Sequence, residues 1–210
     1  MVMRYRASFL LLAAALLAVL PTTSSRAATF TGVKIQNGEG HATITRKGRE
    51  SRINFLNDNI LNKEDHIQAE DDAVIDLLFH DFAGVEIVGE HEFIVKGTEL
   101  SQTQILFKKG AMIFNIRLLP PGATLLFETD TALVRPEKGQ FYISAEGKAT
   151  TVCTFKGEVF FTDKDSGSSL KVPEGFCVDV AGDDSIAQVR PATDQDMDTF
   201  KDVNTIPTSP

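Results

Sequence analysis

The chain has 210 residues, 42% of them hydrophobic and 24% charged, with no Trp, fifteen Phe, two Cys and a formal net charge of -8. That is long enough to bury a real core. Two cysteines exclude a disulfide-rich scaffold, and the acidic balance is wrong for an electrostatic nucleic-acid surface.

The first element is an export signal. Arg4 and Arg6 precede an apolar run from Ala7 to Leu20, followed by Pro21 and a small polar stretch ending in Ser25-Arg26-Ala27. This is the charged, apolar, small-residue order of a secretory leader. The run is fourteen residues long, short of the roughly twenty that a spanning helix needs. Residues 1–27 are therefore expected to be removed after Ala27, leaving no transmembrane segment and a periplasmic or secreted product. No Cys near the cut offers a lipid anchor. Removal takes away three arginines and no acid, so the net charge deepens from -8 to -11.

From Thr31 to about Val189 the sequence reads as short strands. In Met112-Ile113-Phe114-Asn115-Ile116-Arg117-Leu118, alternate residues from Met112 to Leu118 are apolar while Asn115 and Arg117 fall on the other face, the pattern of a strand with one wet side. Similar runs are Ala42–Thr45, Val74–Phe79, Val85–Val88, Phe93–Val95, Ile105–Phe107, Leu125–Phe127, Phe141–Ile143 and Val159–Phe161. Gly84, Gly89, Gly97, Gly110, Gly122, Gly139, Gly147, Gly157, Gly167 and Gly175 stand between them and are expected to be turns. The fold class is all-β, with sandwich, barrel and solenoid open on these grounds. Residues 28–190 form one domain.

Cys153 and Cys177 each fall in a predicted strand, Thr150–Phe155 and Phe176–Val178. In an oxidising compartment they form either a disulfide or two buried thiols. After Arg190 comes a polar acidic tail, residues 191–210, in which Thr193, Asp194 and Asp196 are placed to cap a short helix reaching Lys201, with Phe200 to dock it. Its last residues, 204–210, are expected to be disordered.

Catalytic constellations are missing: there is no G-x-S-x-G, H-E-x-x-H or C-x-x-C. His80-Asp81 follows an apolar strand and reads as a turn before it reads as an acid–base pair. His41, His66, His80 and His91 have no metal-ligand spacing. Asp163-Lys164-Asp165-Ser166-Gly167 begins like a calcium loop but lacks the later ligands, which makes it a hairpin tip. Glu70-Asp71-Asp72 and Asp183-Asp184 read as solvated turns, Lys108-Lys109 is too small a basic patch for nucleic acid, and the alternating Phe residues belong to the core. No catalytic, cofactor-binding or metal residue is assigned, and no cofactor is expected.

Several segments, in order, resemble the FecR-domain family. Gly40-His41-Ala42-Thr43-Ile44-Thr45-Arg46-Lys47-Gly48 is similar to its opening strand, and Asn57 to Ala69 to the stretch that follows. Ala73–Phe79, the turn His80–Gly84 and Val85–Val88 resemble its apolar hairpin. Leu106-Phe107-Lys108-Lys109-Gly110-Ala111-Met112, Glu128-Thr129-Asp130-Thr131-Ala132, Phe155-Lys156-Gly157-Glu158-Val159 and Pro173-Glu174-Gly175-Phe176 look like later family segments. The likeness runs from Gly32 to Val180. It departs at Arg135–Gln140, which is longer than the family's turn, and at Asn57-Asp58 or Asn62-Lys63, where a glycine is replaced.

The resemblance implies a twisted, solenoid-like β-fold; with the leader, the strand-rich pattern and the missing catalytic motifs, the expected function is a non-enzymatic FecR-like module for protein binding, sensing or scaffolding in the cell envelope. The alternatives are a structural protein associated with cell wall or polysaccharide and, less favoured, a metal-dependent or hydrolytic enzyme. In iron-uptake regulators the domain is joined to other segments; this chain is expected not to signal across a membrane by itself.

Overall fold

Alternation along the strands builds the sheet, and glycine-centred bends fold it over. The computed structural model describes residues 30–57, 59–182 and 187–201, excluding the side chains of 199–201. The leader, Asp183-Asp184 and the last nine residues lie outside them, as does the Phe200 side chain. The strands are β1 (Val33–Glu39), β2 (Ala42–Arg46), β3 (Arg49–Arg52), β4 (Asn59–Leu61), β5 (His66–Ala69), β6 (Val74–Phe79) and β7 (Ala83–Glu99). They continue as β8 (Gln102–Ile116), β9 (Leu125–Glu128), β10 (Ala132–Glu146), β11 (Ala149–Asp163), β12 (Ser169–Pro173), β13 (Phe176–Ala181) and β14 (Gln188–Pro191), followed by helix α1 (Asp194–Lys201).

All fourteen strands belong to one open sheet, with main path β14-β13-β11-β10-β9-β8-β7-β5-β2-β3. The pairings are antiparallel apart from β8–β9. The chain is thus all-β, as its alternation requires, and the sheet does not close into a barrel.

The glycines correct the expected strand count. Gly122, Gly147, Gly167 and Gly175 do lie between strands, but Gly84, Gly89, Gly97, Gly110, Gly139 and Gly157 are inside β7, β8, β10 and β11. Runs that read as separate strands, such as Ile105–Phe107 and Met112–Ile116, are two arms of one bent strand. The physical reason is that a glycine can interrupt the pleat without ending the hydrogen-bonded ladder.

Phe127 shows how far the bend goes. It is registered against Ile105 of β8, yet its ring meets Phe114 of the same strand at 4.4 Å. Nine straight residues would span roughly 30 Å, so β8 must fold back between these positions. The two arms enclose the core. One inner row is Ile75-Ile87-Met112-Ile143-Val152-Val178, and the other is Val95-Ile105-Phe127-Val134-Phe161. Phe114 also stacks on Phe141 at 4.6 Å. Among the described residues seven Phe side chains, including these, are fully buried, each worth about 2–3 kcal/mol of burial before entropy is counted.

Residues between the inner rows point outward, which is where Cys153 and Cys177 lie. They are directly opposed across β11 and β13 and at disulfide distance. Both are buried. Asp196 of α1 approaches Cys153 Sγ at 3.8 Å. The helix itself starts as its sequence suggests: the Asp196 amide donates to Thr193 Oγ1 at 3.2 Å, while the Thr193 amide and hydroxyl donate to the Asp196 carboxylate. This is a reciprocal cap.

Candidate functional site

The outer face of the sheet carries a basic recess where β10 and β11 bend together. Gly139 is paired with Gly157, both with positive φ. A Cβ on Gly139 would overlap the Lys156 carbonyl oxygen, and one on Gly157 the Lys138 carbonyl oxygen. Only glycine permits this approach. The backbones cross closely enough to leave an open recess of about 580 Å³ lined by Asn115, Arg117, Lys138, Gln140, Lys156 and Glu174.

Register explains the grouping. Asn115 is opposite Gln140, and Gln140 is opposite Lys156, so these three side chains form a row across β8, β10 and β11. Lys138 enters from the other side of the glycine pair. Glu174, at the turn after β12, accepts a 3.3 Å hydrogen bond from the Gly157 amide. Lys138 and Lys156, which form no ion pair among the described residues, outnumber the one lining carboxylate and make this recess positive in an acidic chain. Sequence reading missed it. Its signal, a Lys before each of Gly139 and Gly157, also occurs at Lys47-Gly48, Lys96-Gly97 and Lys109-Gly110, so only the sheet register singles out this pair.

The histidines do not converge. His80 is buried in the turn before β7, where Nδ1 accepts from the Gly32 amide at 2.8 Å and Nε2 faces Thr103 Oγ1 at 2.7 Å. Burial holds its pKa below the ordinary histidine value, against the pull of Glu99 and Asp81. Asp81 receives the Phe30 amide. Both members of the pair are therefore occupied in pinning the segment that leads into β1, as expected for a turn.

His91 is also buried; Nδ1 bonds the Gly89 carbonyl at 2.7 Å and Nε2 has no partner among the described residues. Burial again lowers its pKa. His66 pairs with Glu92 at 2.9 Å. His41 meets Asp72 at 2.6 Å, and with Glu70 these offer ligand atoms within 4.8 Å of one another. That trio joins residues distant in sequence, but all three are exposed, and His41 and Asp72 already satisfy each other.

The other sequence candidates resolve into structural contacts. Lys108 and Lys109 are neutralised by Asp130 and Glu90. The Asp163 carboxylate accepts the amides of Asp165 and Ser166, which holds its pKa down and makes this segment the β11–β12 hairpin tip. Asp76 and Glu86 stand opposite each other on β6 and β7. Partial burial raises both pKa values, and Asp76 adds to the effect on Glu86.

At the far end, Arg190 of β14 bridges Asp179 and Asp196. Its hydrogen bonds to Asp196 and Asp179 raise its pKa, and those from Arg190 and Thr193 hold Asp196 low. This clamp fixes α1 over the Cys153–Cys177 pair. No helix of the described residues is long and apolar enough to cross a membrane.

Comparison with known proteins locates the fold. No family model matches the chain, and no curated protein matches. Among solved structures, one from Parabacteroides distasonis, described as "a putative anti-sigma factor", superposes with a TM-score of 0.54 at 16% identity. The match covers 65% of this chain and 63% of that one, less than two thirds of the neighbour's length. A second structure from the same organism with the same description has a TM-score of 0.47 at 16% identity, over 67% of this chain and 62% of that one. At such identity the likeness is one of fold.

Proposed function

We propose that the chain is an exported, non-enzymatic FecR-type domain that binds a protein partner in the cell envelope as a sensing or scaffolding module. The observation that supports this best is a coincidence of independent routes. The segments from Gly32 to Val180, in order, resemble the FecR family, whose iron-uptake regulators carry an anti-sigma segment, and the fold superposes over 65% of this chain on a structure described as "a putative anti-sigma factor". Fold alone does not carry function, so the reading also uses the leader and the sheet's open ends. β3 and β14 end the main path of the sheet, and Leu56 and Ile60 near β3 are 94% and 57% exposed. Unpaired strand edges with apolar flanks are natural docking places for another chain.

The experiment has two parts. Amino-terminal sequencing of the exported protein should begin at Ala28. Photo-crosslinkers placed at Leu56 and Val189 in the producing cell should trap a discrete protein adduct at one of the two ends. A chain that stays in the cytoplasm, or one that gives no protein adduct at either end and sediments with sacculi, overturns the reading.

A further inference from the structure

From the recess at the Gly139–Gly157 crossing we infer a binding site for an acidic saccharide, a sugar carrying a carboxylate. The charge argument comes first. Lys96, Lys108, Lys109, Lys164 and Lys171 each form an ion pair with Glu or Asp. Lys138 and Lys156, which share one recess, form none among the described residues. Arg117 also lines the recess, and Glu174 is the one acid in that lining. In a chain of net charge -8 this concentrates the attraction for anions in a single concave place.

Polarity and shape narrow the ligand. Asn115 and Gln140 are registered neighbours, but their side-chain amides make no hydrogen bond to each other or to another described residue. An amide offers both a donor and an acceptor, which matches hydroxyl groups. The recess of about 580 Å³ lies in the range of small-molecule sites and exceeds what a bare inorganic anion needs. Rigidity follows from the backbone: the glycine pair admits no side chain between β10 and β11, so the cations and amides project from a preformed bend. The ordering cost of binding then falls on the side chains and not on the backbone. The site does not depend on a protein partner and stands or falls separately from the docking proposed above.

The test titrates the full mature chain at low salt with glucuronate, tri-galacturonate, inorganic phosphate and neutral maltotriose. Amide NMR signals of Asn115 and Gln140 and calorimetry provide the readouts. At least one acidic sugar should bind saturably and shift both amides. Lys138→Gln with Lys156→Gln should weaken it about tenfold or more. A control with the same charge change, Lys47→Gln with Lys63→Gln, should alter it less than twofold, and circular dichroism checks that both variants are folded. Glucuronate binding as tightly as the trimer identifies a free sugar acid, and binding of the trimer alone identifies an anionic glycan; either supports the site. Absence of saturable binding by both acidic sugars overturns it. So does equally tight binding of phosphate or maltotriose, or an equal loss in the two double variants.

Discussion

His80 and Thr103 are joined by a buried 2.7 Å hydrogen bond between Nε2 and Oγ1. Thr103 Oγ1 in turn donates to the Glu99 carbonyl. Because His80 Nδ1 accepts the Gly32 amide, the ring proton belongs on Nε2, which donates to Thr103. The imidazole thus ties the segment before β1, the β6–β7 turn and β8 together. His80→Ala should cost about 2–3 kcal/mol, since it leaves buried polar groups unpaired and opens a void. Urea denaturation at pH 7 measures this; a change within error would mean that the bonds carry no net stability.

Acid should destabilise the fold through His80 and His91. Both have lowered pKa values from burial, so the unfolded chain binds protons that the folded chain refuses. Stability is complete above the ordinary histidine pKa of about 6.5 and declines below it, by up to about 1.4 kcal/mol per group per pH unit. His91→Phe keeps a ring beside Phe93, which now stacks at 6.0 Å, and removes the unpartnered Nε2. The variant should match or exceed the parent at pH 7 and lose less stability between pH 7 and 5. Comparing the two proteins cancels the contributions of Asp76 and Glu86. Identical pH dependence in parent and variant would exclude His91 as a contributor.

Arg46 holds the buried Asp65 carboxylate with two hydrogen bonds of 2.8 and 2.6 Å, and the Asn62 amide supplies another. Arg46→Ala leaves a buried acid without its cation. Because the arginine is 44% exposed, water recovers part of the loss, and about 2–3 kcal/mol is expected. Arg46→Ala combined with Asp65→Asn should recover part of it in a double-mutant cycle.

Glycine substitutions should separate bends from turns. Gly139→Ala places a Cβ on the Lys156 carbonyl and should lower stability by more than about 3 kcal/mol or prevent folding, with a collapse of soluble yield. Gly122→Ala meets open space despite its positive φ and should cost only about 1 kcal/mol. Similar losses at both positions would contradict the close crossing of β10 and β11.

A bond between Cys153 and Cys177 closes a loop with a separation of 24 residues. Loop-closure entropy assigns it about 3.5 kcal/mol. Denatured, unreduced exported protein should show no free thiol, and dithiothreitol should lower the unfolding midpoint. Two titratable thiols would sink the expectation.

Much of this was legible in the residues because strand alternation is local. The run Met112 to Ile116 declares its buried face without knowledge of its neighbours, and Thr193 with Asp196 declares the helix start. The hairpin tip at Asp163 was equally readable, since strand-like runs flank Asp163–Gly167 and the later ligands of a calcium loop are missing. Whether Gly110, Gly139 and Gly157 turn the chain or bend it was not readable, because either outcome satisfies the same local preference for positive φ.

The sequence by itself determined an acidic all-β chain with a Phe-rich core, a leader-like start and no familiar catalytic motif. Those properties reside in composition and in a period of two. Tertiary structure alone decided that separate-looking runs are arms of single strands, that Cys153 faces Cys177, and that Asn115, Lys138, Gln140 and Lys156 share one recess. Each of these depends on which residues of distant strands stand opposite one another, and a change of register by a single residue would send every side chain to the other face.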